Sequence, residues 1–242
     1  MNVRLIQGEC LAAMAKLPDR CVDMVLCDMP YGTTQNKWDS VIDLQEMWKQ
    51  YARLCTGAVV LTAAQPFTSV LVCSNLKKFK YSWVWEKEKG TGHLNAKKQP
   101  MRSVEDVVVF YTGQPVYNPQ MEVGTPYNGN ARIGGKQQTS NYGGYNPVRN
   151  DNEGFRYPKQ VIRINSVGRG GVHPTQKPVT LMEYLIRTYT NEGMTVLDNC
   201  MGSGTTGVAC KNLNRNFIGI ELDPLYFQLA KNRINATKWG AQ

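Results

Sequence analysis

The apolar run Val22 to Cys27 ends in Asp28-Met29-Pro30-Tyr31. A strand buried on both faces spends its side chains on packing, so polar groups at its carboxyl end fall in the crevice where open α/β sheets bind ligands. Three kinds of group meet at this point. The Asp28 carboxylate accepts hydrogen bonds from an exocyclic amine, the Pro30 carbonyl is a second acceptor, and Tyr31 offers a stacking face. Together they suit a planar base that bears an amino group. Taken alone, the same residues also read as a strand followed by an ordinary turn.

A second constellation lies far downstream. Thr195 to Leu197 is a short apolar strand running into Asp198, and Asn199-Cys200-Met201-Gly202-Ser203-Gly204 then opens a helix at about Thr205. Gly202 and Gly204 let the main chain approach a ligand that a side chain would repel, while the helix start points free N–H groups toward it. Asn216 to Ile220 reads as a further strand, with Glu221 at its carboxyl end. An acid about twenty residues beyond the glycines suits ribose hydroxyls. Gly202, Gly204 and Gly207 formally fit G-x-G-x-x-G, so a nicotinamide dehydrogenase is a rival reading. Against it, only about 35 residues follow the glycines, Asp198 precedes them, and nothing in a dehydrogenase accounts for Asp28 to Tyr31.

Taken together these residues resemble the DNA amino-methyltransferases, which carry a methyl group from S-adenosylmethionine to adenine N6 or cytosine N4. Asp28-Met29-Pro30-Tyr31 resembles the catalytic (D/N/S)PP(Y/F) motif, and Asp198 to Gly204 resembles the cofactor loop written F-x-G-x-G. The catalytic motif comes first, which is the order of the β group. Between them His173-Pro174-Thr175-Gln176-Lys177-Pro178 resembles that group's HPTQKP segment. Gln7-Gly8-Glu9-Cys10 resembles the turn that closes the adenine pocket, Trp83 to Lys87 the W-x-K strand, and Arg102 to Glu105 the approach to the last sheet segment.

The resemblance implies a Rossmann-like methyltransferase fold and a catalytic set of Asp28, Pro30 and Tyr31. For the cofactor it implies Asp28, Asp198 near the methionine ammonium, Thr175 and Lys177 at the carboxylate, Asn199, Gly202, Gly204 and Thr205 in the loop, and Glu221 at the ribose. It further implies double-stranded DNA as partner, a flipped-out target nucleotide, a role of the restriction-modification kind, and a homodimer by analogy with many β-group enzymes. Met29 replaces a proline of the motif, and Asn199 to Met201 replace the usual phenylalanine-containing approach. Neither change removes a functional atom, although losing a proline loosens the loop. The leading aspartate makes adenine N6 the expected target. Cytosine N4 remains an alternative, as does a catalytically weak DNA-binding relative. Structured RNA or a protein glutamine amide is more remote.

These groups need a scaffold. Strands are expected near Val3–Gln7, Val22–Cys27, Ala58–Thr62, Tyr81–Trp85, Val107–Tyr111, Thr195–Leu197 and Asn216–Ile220. Apolar spacing of three and four predicts helices over Cys10–Leu17, Leu44–Leu54, Pro66–Leu76, Val179–Tyr189, Thr205–Leu213 and Pro224–Asn235. Their alternation implies an α/β protein with a doubly wound, mostly parallel sheet. Asp223 before Pro224 reads as a helix cap, His173 as a turn residue, and Met14, Met47 and Met182 as packing.

With 242 residues and 42% apolar content, the chain suffices for one substantial domain with an embellishment. Residues 1–111 and 173–242 are expected to form the catalytic domain and 112–172 an inserted target-recognition region. That region is broken by Gly and Pro, rich in Asn, Gln, Tyr and Arg, and carries a strand-like stretch at Gln160 to Ile164. Asn and Gln can read adenine edges and Arg guanine. Residues 77–177 hold 16 Lys and Arg against 7 Asp and Glu, which equals the whole chain's excess of +9. Such a basic middle has the composition of a nucleic-acid surface, against a merely solvated basic face. The seven cysteines form no C-x-x-C pair and read as reduced core residues, with no metal site. Without a membrane-length apolar stretch or a signal-like N-terminus, the expected location is the cytoplasm.

Overall fold

The computed structural model describes residues 2–32, 42–129, 137–139, 143–145, 151–168 and 176–240. They fall into two compact units, Met1–Asn118 with Gln160–Gln242, and Pro119–Lys159.

The first unit is built on an eight-stranded sheet. Its strands are β1 (Val3–Gln7), β2 (Val22–Cys27), β3 (Cys55–Ala63), β4 (Phe79–Thr91), β5 (Arg102–Phe110), β10 (Val161–Arg163), β11 (Thr195–Asp198) and β12 (Asn216–Glu221). The order across the sheet is β1-β12-β11-β2-β3-β5-β4-β10. Only β5 runs against its neighbours, pairing Val109 with Val60 of β3 and Val108 with Ser82 of β4. The helices are α1 (Cys10–Ala15), α2 (Leu44–Leu54), α3 (Phe67–Ser74), α4 (Val179–Tyr189), α5 (Thr205–Asn212) and α6 (Pro224–Ala236). Every strand and helix expected from periodicity is present. The side-chain alternation of β2 explains why helices cover both faces. Met24 and Leu26 join the core formed with Leu185 of α4, Ala209 of α5 and Ile234 of α6. Val25 and Cys27 join the core formed with Met14 of α1, Met47 and Tyr51 of α2, and Leu71 of α3. Met14, Met47 and Met182 are all buried packing residues.

Local chemistry sets the helix starts. Asp223 accepts from the Leu225 and Tyr226 amides at 2.8 and 3.1 Å, with Pro224 filling the first helical position. Asp43 and Glu9 cap α2 and α1 in the same way. One expected stretch belongs elsewhere: the strand-like residues after Gln160 form β10, which pairs in parallel with β4 and buries Ile162 in the main core. Apolar alternation marked a strand correctly but could not say which sheet would take it.

None of the described residues of the second unit belongs to either hydrophobic core cluster. It contains β6 (Glu122–Val123) paired with β9 (Phe155–Arg156), and β7 (Gln137–Thr139) paired with β8 (Gly143–Tyr145), all antiparallel. The Arg156 guanidinium lies 4.7 Å from the Tyr127 ring centre, while Val123, Phe155 and Tyr157 are exposed. Among the described residues no helix is long and apolar enough to cross a membrane.

Candidate active site

From the β11/β2 boundary the strand order diverges, through β12 to β1 on one side and through β3 on the other. Such a reversal opens a crevice beyond the carboxyl ends of the strands. Leu197 of β11 lies opposite Val25 of β2. Asp198 and Asp28 therefore leave the sheet at the carboxyl ends of neighbouring parallel strands, whose axes run about 4.8 Å apart.

Around Asp28 the structure gathers donors from distant parts of the chain. The Lys177 ammonium lies 2.8 Å from both carboxylate oxygens. The Tyr31 hydroxyl is 2.8 Å from Asp28 Oδ1 and 2.9 Å from the Thr62 hydroxyl, which itself donates to Asp28. Phe67 at the start of α3 stacks on the Tyr31 ring at 5.5 Å and 22°. Lys177 also sits 3.2 Å from Glu105 Oε2, and Glu105 Oε1 is 2.5 Å from Lys87 Nζ. Burial opposes the Lys177 charge, but Asp28, the Tyr31 phenol and Glu105 outweigh it and hold the ammonium well above the ordinary lysine range. Burial and the Asp28 charge likewise push the Tyr31 phenol up. Asp28 therefore sits among donors in a tight pocket, and Met29 next to it is core.

On the β11 side, Asp198 accepts from the Cys200 amide at 3.1 Å and the Thr206 hydroxyl at 2.6 Å. Burial raises its pKa to about 7, against those hydrogen bonds and with a further push from the Asp28 charge. Glu221 takes the Gly202 amide on one oxygen at 2.8 Å and the Asp223 amide on the other at 2.9 Å. Burial raises its pKa too. A carboxylate offers about four lone-pair sites, so each acid keeps acceptor capacity for a ligand. Gln7 lies opposite Glu221 in the sheet, and the Gly8 amide donates to the Glu221 carbonyl at 2.9 Å, so the Gly8-Glu9 turn stands beside that acid.

The two glycines do different things. Gly202 has φ +50° and nothing within 4 Å of where a Cβ would stand, so it opens on free space. Gly204 has φ +81°, and a Cβ there would come within 2.9 Å of Ala230 Cβ on α6. Open backbone at Gly202, with Asp198 before it and Glu221 bonded to its amide, fits a nucleoside carrying an ammonium and a ribose diol.

Asp28, Tyr31, Lys177, Asp198, Gly202 and Glu221 are thus at the carboxyl edge of one sheet. Lys177, expected at a cofactor carboxylate, has its ammonium engaged by Asp28 and Glu105. The Asn199 side chain faces the core, where its oxygen accepts from the Tyr51 hydroxyl at 2.6 Å. Thr205 is buried, and its neighbour Thr206 carries the bond to Asp198. Thr175 and His173 lie outside the described residues. Sequence reasoning missed Thr62, Glu105, Lys87 and Phe67 as site residues. Thr62 had a signal, being the polar end of an apolar strand.

A doubly wound, mostly parallel sheet with carboxylates at the ends of neighbouring strands defines a Rossmann-like α/β protein. The profile of the DNA methylase family, whose members modify N6 or N4 amino groups, matches residues 22–232. The type II methyltransferase M.HpaI of Haemophilus parainfluenzae is 27% identical over 255 residues, spanning 98% of this chain and 75% of that protein. The crystal structure of the M1.HpyAVI–SAM complex matches with a TM-score of 0.66 and 27% identity, over 96% of this chain and 99% of that one. The cytosine-N4-specific PvuII DNA methyltransferase, 16% identical over 96% of this chain and 86% of that one, shares the fold with a TM-score of 0.68. The chain belongs to the DNA methylase family of N6 and N4 amino-methyltransferases. It is a DNA methyltransferase, and its methyl donor is S-adenosylmethionine.

Proposed function

We propose that the protein methylates the N6 amine of adenine at a specific site in double-stranded DNA. The observation that carries this reading is the adjacency of Asp28 and Asp198 on neighbouring strand ends, which brings an amine acceptor beside a nucleoside pocket. An exocyclic amine is a weak nucleophile because its lone pair is delocalised into the ring. Asp28 and the Pro30 carbonyl accept its two hydrogens, drawing nitrogen toward a tetrahedral form with its lone pair directed at the donor. Tyr31, backed by Phe67, stacks on the base. The bound cofactor supplies an electrophilic sulfonium methyl: nitrogen's lone pair forms the new N–C bond, the S–C electron pair returns to sulfur, and an amine proton leaves to solvent. Asp28 stabilises the positive charge that builds on nitrogen meanwhile. Asp198 pairs with the cofactor's ammonium, Glu221 with its ribose hydroxyls, and the Gly202 backbone allows close approach.

Because a paired base is out of reach of such a pocket, the nucleotide is flipped out, and basic groups of residues 77–177 hold the phosphates. The exposed Tyr127, Asn128, Phe155 and Tyr157 of the Pro119–Lys159 unit support a target-recognition role for it, within the 112–172 region expected from sequence. A cytoplasmic homodimer with a role of the restriction-modification kind completes the proposal. The leading aspartate of the tetrapeptide favours adenine over cytosine N4. Mass analysis of nucleosides from DNA methylated by the purified protein decides between them: N6-methyladenine is expected, and N4-methylcytosine would overturn the base assignment. Asp28→Ala is expected to abolish methyl transfer while cofactor binding survives, and full activity in that variant would remove Asp28 from the mechanism.

A further inference from the structure

The donors around Asp28 crowd one of its oxygens and reach both. Oδ1 alone is within hydrogen-bond distance of Lys177, Tyr31 and Thr62, and Oδ2 is taken by Lys177 again. Oδ1 has about two lone pairs and no room for a base amine beside these donors, and because the ammonium spans both oxygens at 2.8 Å the amine meets it at Oδ2 as well. The two hydroxyls are tied to each other at 2.9 Å. Lys177 is the donor with another acceptor at hand. Glu105 Oε2 lies 3.2 Å from its ammonium, and this buried oxygen makes no hydrogen bond. The placement of that acceptor follows from the sheet. Glu105 of β5 lies opposite Trp85 of β4, and Lys87, two residues on, projects from the same face. Lys87 binds Glu105 Oε1 at 2.5 Å, which pins the carboxylate and leaves Oε2 turned to Lys177.

We infer that Glu105 is a positioning residue that draws the Lys177 ammonium off Asp28 when the base amine docks. Lys177 then moves a fraction of its length, from two carboxylate oxygens to one, and the buried cation is never left unpaired. The four charges Asp28, Glu105, Lys87 and Lys177 sum to zero before and after the shift. Without the Glu105 charge the ammonium has only Asp28 to pair with and competes with the substrate for it. The inference rests on the proposed role of Asp28 as amine acceptor and adds to that role a resting state in which the acceptor is capped.

Turnover of labelled S-adenosylmethionine on plasmid DNA of mixed sequence tests this with the full chain and four variants. Glu105→Gln should lower kcat by about ten- to a hundredfold, the range for one charge-assisted hydrogen bond, with KM for the cofactor and the melting temperature little changed. Lys177→Met should retain measurable turnover, since an ammonium that only has to step aside is dispensable. The double variant should be faster than Glu105→Gln alone, because removing the trapped cation frees Asp28. A double variant as slow as or slower than Glu105→Gln, an unchanged kcat in Glu105→Gln, or undetectable turnover in Lys177→Met would each overturn the inference. Asp28→Ala separates the two levels: if it stays active the reading of the site fails, whereas if it is inactive and the double variant is not faster, only the role of Glu105 fails.

Discussion

Gly202 and Gly204 sit two residues apart in one loop with positive φ angles of +50° and +81°, yet their surroundings predict opposite phenotypes on substitution by alanine. At Gly202 a methyl group enters open space, so the folded protein loses only the cost of holding a non-glycine residue in the left-handed region, about 1–2 kcal/mol. In the proposed site the same methyl projects where the cofactor approaches the backbone, so affinity for S-adenosylmethionine should drop by about an order of magnitude or more. At Gly204 the methyl meets Ala230 Cβ at 2.9 Å, Ala230 Cα at 3.0 Å and Ile234 Cδ1 at 3.1 Å. The left-handed cost is then joined by overpacking of about 1–3 kcal/mol. The total of about 2–5 kcal/mol corresponds to roughly 4–20 °C of melting temperature for a chain of this size. Thermal unfolding without ligand, paired with calorimetric titration of S-adenosylmethionine, reads both quantities. The expected pattern is a stable Gly202→Ala that binds poorly and an unstable Gly204→Ala that binds normally at low temperature. If instead Gly204→Ala melts like the parent but loses cofactor affinity, Gly204 faces the ligand and the division of labour is wrong.

The buried Asp198 predicts a pH dependence of cofactor binding. Its pKa is raised from 3.8 to about 7, so the folded state holds this proton over a window where the unfolded chain has lost it. That contribution to stability is present at low pH and is lost as pH rises through about 7. In the proposed site a cofactor ammonium pairs with the ionised form, so affinity should fall about tenfold from pH 8 to pH 6, with a proton released on binding near neutrality. Calorimetric heats that do not vary with the buffer's ionisation enthalpy, together with a flat affinity, would contradict the pairing. DNA binding should be strongly salt-dependent, with a log–log slope near −5 if about six phosphates are neutralised. A filter-binding series from low to moderate salt that gave no slope would exclude phosphate contacts by the basic middle of the chain.

Much of the scaffold is legible in the residues themselves. The apolar stretch ending at Cys27 could only be a buried strand, the spacing in Leu44 to Leu54 a half-buried helix, and Asp223-Pro224 a capped helix start, because backbone preference and side-chain periodicity are local quantities. The order of Asp28-Met29-Pro30-Tyr31 before the Gly202 loop was enough to point to the family. Partners set by distant pairing were not legible. Lys177 reaches Asp28 across 149 positions and Tyr51 reaches Asn199 across 148. Glu105 faces Lys177 only because β5 turns back between β3 and β4.

The sequence by itself determined which segments are strands and helices, which of them end in carboxylates, and the chemistry those carboxylates can offer. Tertiary structure alone decided that the strands ending in Asp28 and Asp198 are neighbours, that Gly204 serves helix packing while Gly202 faces open space, and that Asp28 rests beneath a lysine. The reason is physical: a residue's own preferences fix its local conformation, whereas strand neighbours, register and the filling of a crevice follow from how the whole chain buries its apolar faces together.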